Sequence, residues 1–234
     1  VRIGKQLLYI GLVFGALLIV LSAIERKQES TVRELFVNVQ PLPDGNRLLV
    51  RTDIEKTLDV SFDEPMVGGP VQNVNVTRIE QVLEEDPFIL DADAYLNARN
   101  ELHIEVVQRE PILRIMDNSG LNYYLDESGR KMPLSEHFTA RVPVATGNIP
   151  PHVPAFYERK KYVLTHVFEF VKLIRQDVFF QSLVEQIHVN QRGEMTLVPK
   201  VGRQKIVFGE FAEAQAKLRR LKISVKTLVF LFHA

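Results

Sequence analysis

Glu185 and His188 come nearest in this chain to an acid/base couple, and their spacing works against them. Residues three apart on a strand point to opposite faces, so this carboxylate and this imidazole cannot share a proton. The six histidines are otherwise scattered, with no H-E-x-x-H and no pair at ligand spacing. No G-x-S-x-G elbow, phosphate-binding loop or dinucleotide fingerprint is present. Glu84, Glu85, Asp86, Asp91 and Asp93 could between them hold a cation. The first three fall at a helix end and the last two on the wet face of a strand, so a solvated acidic face is the simpler reading. Arg159, Lys160 and Lys161 read as a solvated helix start. Lys217, Arg219, Arg220 and Lys222 read as the complement of a helix C-terminus.

Composition narrows the chemistry further. There is no cysteine, which removes disulfides, thiolate metal sites and cysteine nucleophiles together. The formal net charge is zero, so the whole chain carries no nucleic-acid signal. A hydrophobic share of 46% with 25% charged residues is ordinary for folded protein. The expectation is a protein that is not an enzyme, with no cofactor, metal, nucleic acid or small-molecule substrate, and that works by binding other proteins.

The elements begin with an anchor. Leu7 to Ile24 carries no charge and no proline. At about 1.5 Å per residue it just spans a bilayer core of roughly 30 Å. A cleaved signal peptide would have a shorter apolar region and small residues at its cleavage site, whereas Leu21-Ser22-Ala23 places a large residue there. A single transmembrane helix with a cytoplasmic N-terminus is therefore expected, the bulk of the chain lying outside the cytoplasm. Gly4, Gly11, Gly15 and Ser22 form one small-residue stripe along it. The stripe is either a packing seam for another helix or the ordinary glycine content of membrane helices.

Downstream, Thr31 to Val39 ends like a strand. Arg51 opens a helix with Thr52 or Asp53 as cap, and Thr77 with Glu80 gives a capping-box pattern for a second helix. Val76, Ile79, Val82 and Leu83 form its apolar face. A hairpin follows, with Leu90, Ala92, Ala94 and Leu96 on one arm and Leu102, Ile104 and Val106 on the other, turning at Ala98-Arg99-Asn100. Strand, helix, helix, strand, strand packs two helices on one face of a small sheet. From Pro111 the pattern becomes short strands and tight turns at Asn118-Ser119-Gly120 and Glu127-Ser128-Gly129. A helix striped with Val163, Val167, Phe170, Val171 and Ile174 follows. Then come strands at Gln186 to Val189, Glu194 to Val198 and Gln204 to Phe208, and a last helix bearing Phe211, Ala214, Leu218 and Leu221.

Several of these segments resemble, in order, the FtsQ/DivIB family of bacterial cell-division proteins in its Bacteroidetes form. Leu102-His103-Ile104-Glu105-Val106 is similar to its L-x-I-x-V strand, and Gln108-Arg109-Glu110-Pro111 to the polar-Arg-Glu-Pro junction after it. Tyr124 to Gly129 resembles its aspartate–turn–glycine hairpin, and Arg141 to Gly147 its proline–glycine segment. Glu185 to Val189, Leu197 to Gly202 and Ile206 to Gly209 are similar to further motifs of the same subgroup. The resemblance implies an α+β fold: a cytoplasmic stub, anchor and flank over 1–30, a POTRA-like β-α-α-β-β domain over 31–110, and a mixed β-domain with helices over 111–234. The order read from the residues alone is the POTRA order.

The resemblance implies a divisome scaffold in the bacterial inner membrane, at the division septum, with its bulk in the periplasm. Its partners would be other bitopic division proteins of the FtsL and FtsB type and the septal synthase complex, besides the lipid bilayer. It would help control septal peptidoglycan synthesis. The family's partner site lies at the last strands of the β-domain, which points to Gln204, Ile206, Val207 and Phe208, with Ile187 and Val189 behind them. Ile223 to Ala234 departs from the family pattern, as a genuine tail, a truncation or a shifted frame would. Its apolar run Thr227 to Phe232 is β-prone and is expected to be buried, paired as the sheet edge, or an artefact of the frame. Two other readings stay open: a POTRA-bearing component of protein export, and a membrane-anchored periplasmic hydrolase.

Overall fold

The computed structural model describes Phe14, Gly15, Leu17 and residues 30–232, with side chains as far as Val225. The expected anchor Leu7 to Ile24 lies, apart from those first three residues, outside the described residues. Among the described residues no helix is long and apolar enough to cross a membrane. The chain divides into two compact units, Val1–Gln108 and Arg109–Ala234.

The first unit runs β1 (Glu34–Gln40), α1 (Arg51–Ser61), a 3-10 turn (Val71–Asn73), α2 (Val76–Glu84), β2 (Ile89–Leu96) and β3 (Glu101–Gln108). Its three strands lie in the order β1-β3-β2, with β1 parallel and β2 antiparallel to β3. Period-two alternation sends Leu102, Ile104 and Val106 to one face, where they meet Ile54 and Leu58 of α1 and Ile79 and Leu83 of α2.

Three local expectations change here. The cap of α1 is Val50, and Asp53 acts from the third helical position, accepting the Val50 N–H at 2.8 Å. The cap of α2 is Asn75, whose side chain accepts the Arg78 N–H at 3.0 Å. Asn75 stands two residues before Thr77 and satisfies the orphan donor first, which frees Glu80 for another partner. Leu90 is exposed, because a bulge between Ile89 and Asp91 breaks the alternation and only then resumes it at Ala92 and Ala94.

The second unit runs β4 (Pro111–Asp117), β5 (Asn122–Asp126), β6 (Lys131–Met132), β7 (Val144–Gly147), a 3-10 turn (Phe156–Glu158), α3 (Val163–Arg175), α4 (Val178–Leu183), β8 (Val184–Val189), β9 (Met195–Pro199), β10 (Ile206–Gly209) and α5 (Ala214–Phe232). Seven strands form one mixed sheet in the order β10-β9-β8-β7-β4-β5-β6, parallel only at β4/β7 and β7/β8. One face carries Leu113, Ile115, Tyr123, Ala145, Ile187 and Leu197 into a core with the apolar stripe of α3. Phe156, Phe168 and Phe170 are fully buried within that core.

The expected strand at Gln204 begins two residues later, at Ile206. α4 was not expected; Asp177 caps it by accepting the Phe179 N–H at 3.0 Å. The apolar run Thr227 to Phe232 is helical and not a sheet edge, since α5 continues through it. Between Lys222 and Phe232 no proline or glycine stops a helix already nucleated, and each added residue gains a bond. The basic residues Lys217, Arg219, Arg220 and Lys222 consequently lie in the first half of α5 and not at its C-terminus. Lys217 Nζ donates to Glu210 O at 2.7 Å, and Lys222 pairs with Asp177.

Candidate partner-binding edges

A sheet edge presents unpaired N–H and C=O groups, and proteins either cover such an edge or use it. In the first unit the edges are β1 and β2, and side chains cap part of each. Arg51 Nη2 donates to Leu35 O and Arg47 Nε to Val39 O, each at 3.1 Å, so two carbonyls of β1 are taken. The N–H of Ala94 in β2 donates to Glu80 Oε1 at 3.0 Å. Arg47 and Arg51 reach β1 because the loop and first turn of α1 run beside it. Glu80 reaches β2 because the Asn75 cap leaves it free.

The second unit's edges are β6 and β10. β6 has two residues, too few to template a partner strand. β10 has four, pairing antiparallel with β9 through Ile206↔Leu197 and Val207↔Thr196 before a bulge at Gly209. Phe208 fastens the strand inward: its ring meets Phe170 edge-to-face at 4.8 Å, and Lys217 Nζ sits 5.3 Å from the ring centroid. Ile206 is half-buried against the core. Val207 points away and is 83% exposed. Among the described residues no side chain caps the β10 main chain.

The remaining expected site residues fall elsewhere. Gln204 is exposed in the loop before β10, with Nε2 donating to Val201 O at 3.3 Å. Ile187 and Val189 are buried in β8, an interior strand paired on both sides, so their place is the core and not a surface open to a partner. Gly15 has open space where a Cβ would stand. Gly4, Gly11 and Ser22 lie outside the described residues.

Groups that could do chemistry are dispersed. His188 Nδ1 and Thr146 Oγ1 share a hydrogen bond at 3.2 Å, and Gln186 Nε2 donates to the same hydroxyl at 2.8 Å, so the imidazole is engaged across β7 and β8 and not with Glu185. The Tyr123 hydroxyl is buried with no hydrogen-bond partner among the described residues. Burial pushes its pKa up, and Asp117 adds to the effect, so it holds its proton. Among the described residues no group of three or more His, Asp and Glu side chains could hold a metal ion. Arg159, Lys160 and Lys161 are exposed ahead of α3.

Sequence reasoning missed the edge caps. Arg47, Arg51 and Glu80 act across the fold, and nothing in their local spacing marks that role.

Two family models match the chain. One, described as FtsQ/DivIB, C-terminal related, matches residues 110–229, slightly more than half of the chain. The other, described as a POTRA-like domain, matches residues 37–107. No curated protein matches it.

Proposed function

The chain belongs to the FtsQ/DivIB family, and from that premise we propose that it is a non-enzymatic scaffold of cell division that holds other bitopic division proteins at the β10 edge. Its two matched domains suggest the scaffold role in general terms. The finer reading is ours. Leu7 to Ile24 anchors the chain in the inner membrane with the N-terminus in the cytoplasm. Both folded units lie in the periplasm at the septum. The partners are of the FtsL and FtsB type together with the septal synthase complex, and the chain thereby helps control septal peptidoglycan synthesis.

The observation that carries this is the contrast between edges. Side chains cap some main-chain groups of β1 and β2, β6 is too short, and β10 with its outward Val207 has no such cap among the described residues. An added strand there would gain main-chain hydrogen bonds for affinity and side-chain contacts at alternate positions for specificity.

Co-purification from membranes tests it. Val207→Pro takes one N–H from the strand, and Val207→Lys keeps the N–H but places a charge on the edge. Both should recover less of the division partners while remaining membrane-bound and protease-resistant. Equal recovery from both variants and the native chain would remove β10 as the binding site.

A further inference from the structure

The open face of the three-stranded sheet carries a row of rings. Phe36 of β1 and Tyr95 of β2 both stand opposite His103 of β3 in register. Phe36 and His103 stack with centroids 4.8 Å apart and planes 13° from parallel; Tyr95 and His103 stack at 5.0 Å and 3°. Phe36 is 38% exposed and Tyr95 44%. Each stands on an edge strand, so among the described residues no further strand covers the outer side of either ring.

Carboxylates flank this row. Glu34 is opposite Glu101 on one side, and Glu105 is opposite Asp93 on the other, with Asp91 beyond. Arg99 in the hairpin turn, itself 79% exposed, lies 3.9 Å from Glu101, and His103 Nε2 lies 3.7 Å from the same carboxylate. The Asn97 amide donates to Glu101 and holds that carboxyl below its usual range, so it stays ionised. Like charges directly opposite each other, as at Asp93 and Glu105, work against strand pairing. The unit's core lies wholly on the other face. The ring stacks support strand pairing, but the carboxylates beside them, Glu101 apart, have no basic partner among the described residues and add nothing to it.

We propose that this face docks an arginine-rich, extended segment of a partner protein. A guanidinium is planar and weakly hydrated, so it can stack on a ring while its fork of N–H donors meets a carboxylate. The rows offer both features side by side at strand spacing, and the charge of the face selects a cationic occupant. The inference is independent of the β10 reading: it concerns another unit and side-chain recognition on a sheet face, not strand addition at an edge.

The test uses the full chain in nanodiscs and fluorescence anisotropy of labelled oligoarginine, oligolysine and oligoglutamate. Oligoarginine should bind most tightly and oligoglutamate not at all. Asp93→Lys with Glu105→Lys should weaken oligoarginine by about tenfold or more. Phe36→Leu with Tyr95→Leu should weaken it about threefold. Glu84→Lys with Glu85→Lys, off this face at the end of α2, should change nothing, and Val207→Lys should bind like the native chain. Thermal melts check that each variant folds. The proposal is overturned if the native chain does not bind oligoarginine, if both double-lysine variants bind equally, or if the leucine variant binds like the native chain.

Discussion

Arg109 Nη1 donates to Asp126 Oδ2 at 2.7 Å, and both side chains are almost wholly buried. The other oxygen of Asp126 accepts from Ser128 N at 2.9 Å, Ser128 Oγ at 2.7 Å and Arg130 N at 2.7 Å. One carboxylate thus closes the β5–β6 turn and neutralises an arginine. Asp126→Asn keeps the shape and removes the charge, so the buried Arg109 guanidinium loses the charge of this partner. That should cost about 3–5 kcal/mol. Urea unfolding followed on the second unit's signals should show a clearly lower midpoint; an unchanged midpoint refutes the role.

Gln108, the preceding residue, serves the first unit. Its Oε1 accepts from Leu48 N at 2.6 Å and Leu49 N at 3.0 Å, and its Nε2 donates to Gln40 O at 2.7 Å. Gln108→Leu would strand these groups at about 1–3 kcal/mol each. Hydrogen exchange at Leu48 and Leu49 should accelerate sharply in the variant, whereas native-like protection there would show that something else holds the loop.

Asp86 gives a pH-dependent case. Burial pushes its carboxyl up, the Phe88 N–H opposes this, and nearby Asp53 pushes it up again. A raised folded-state pKa means the ionised form is penalised on folding. The penalty is fully present above that pKa and is relieved as pH falls through it. Asp86→Asn keeps an acceptor for Phe88 N, which donates at 2.8 Å, and removes the penalty. The variant should be more stable at neutral pH, by under about 1 kcal/mol given partial solvent screening. The gap should close toward acid pH. Melting temperatures across pH that show the native chain ahead at neutrality would reverse the sign.

Gly147 closes β7 at φ +98°, and a Cβ there would stand 2.2 Å from Val189 O. The obstacle is backbone of the paired strand and cannot swing aside. Gly147→Ala should lose about 1–3 kcal/mol from the dihedral alone, and the clash adds to it. A thermal melt matching the native one would show that β7 and β8 can part without cost.

Much of this fold was legible in the chain because its signals are local. The alternation of Leu102, Ile104 and Val106 names a half-buried strand, and the stripe from Val163 to Ile174 names a packed helix. The strand, with the break at Asn100 before it, belongs to the first unit, and the helix to the second. What stayed hidden depends on partners far along the chain. The bulge at Leu90 exists only against Gln108 and Val107 of β3, and parallel pairing of β4, β7 and β8 joins segments dozens of residues apart. The proposed partner edge was half legible. A strand near Val207 could be read, but Ile187 and Val189 carry the same apolar pattern as any edge strand, and only the neighbours on both sides of β8 show that they are enclosed. Local propensity did not decide the backbone at Thr227 to Phe232, a β-prone run that continues a helix already running.

The caps on β1 and β2 bear on how many copies of this protein can stand together. Bare flat edges on neighbouring copies would zip into a continuous ribbon, and crowding would speed the growth. Arg47, Arg51 and Glu80 put a charged plug into that zip, so copies brought close together would meet partly capped edges at β1 and β2 instead of bare ones.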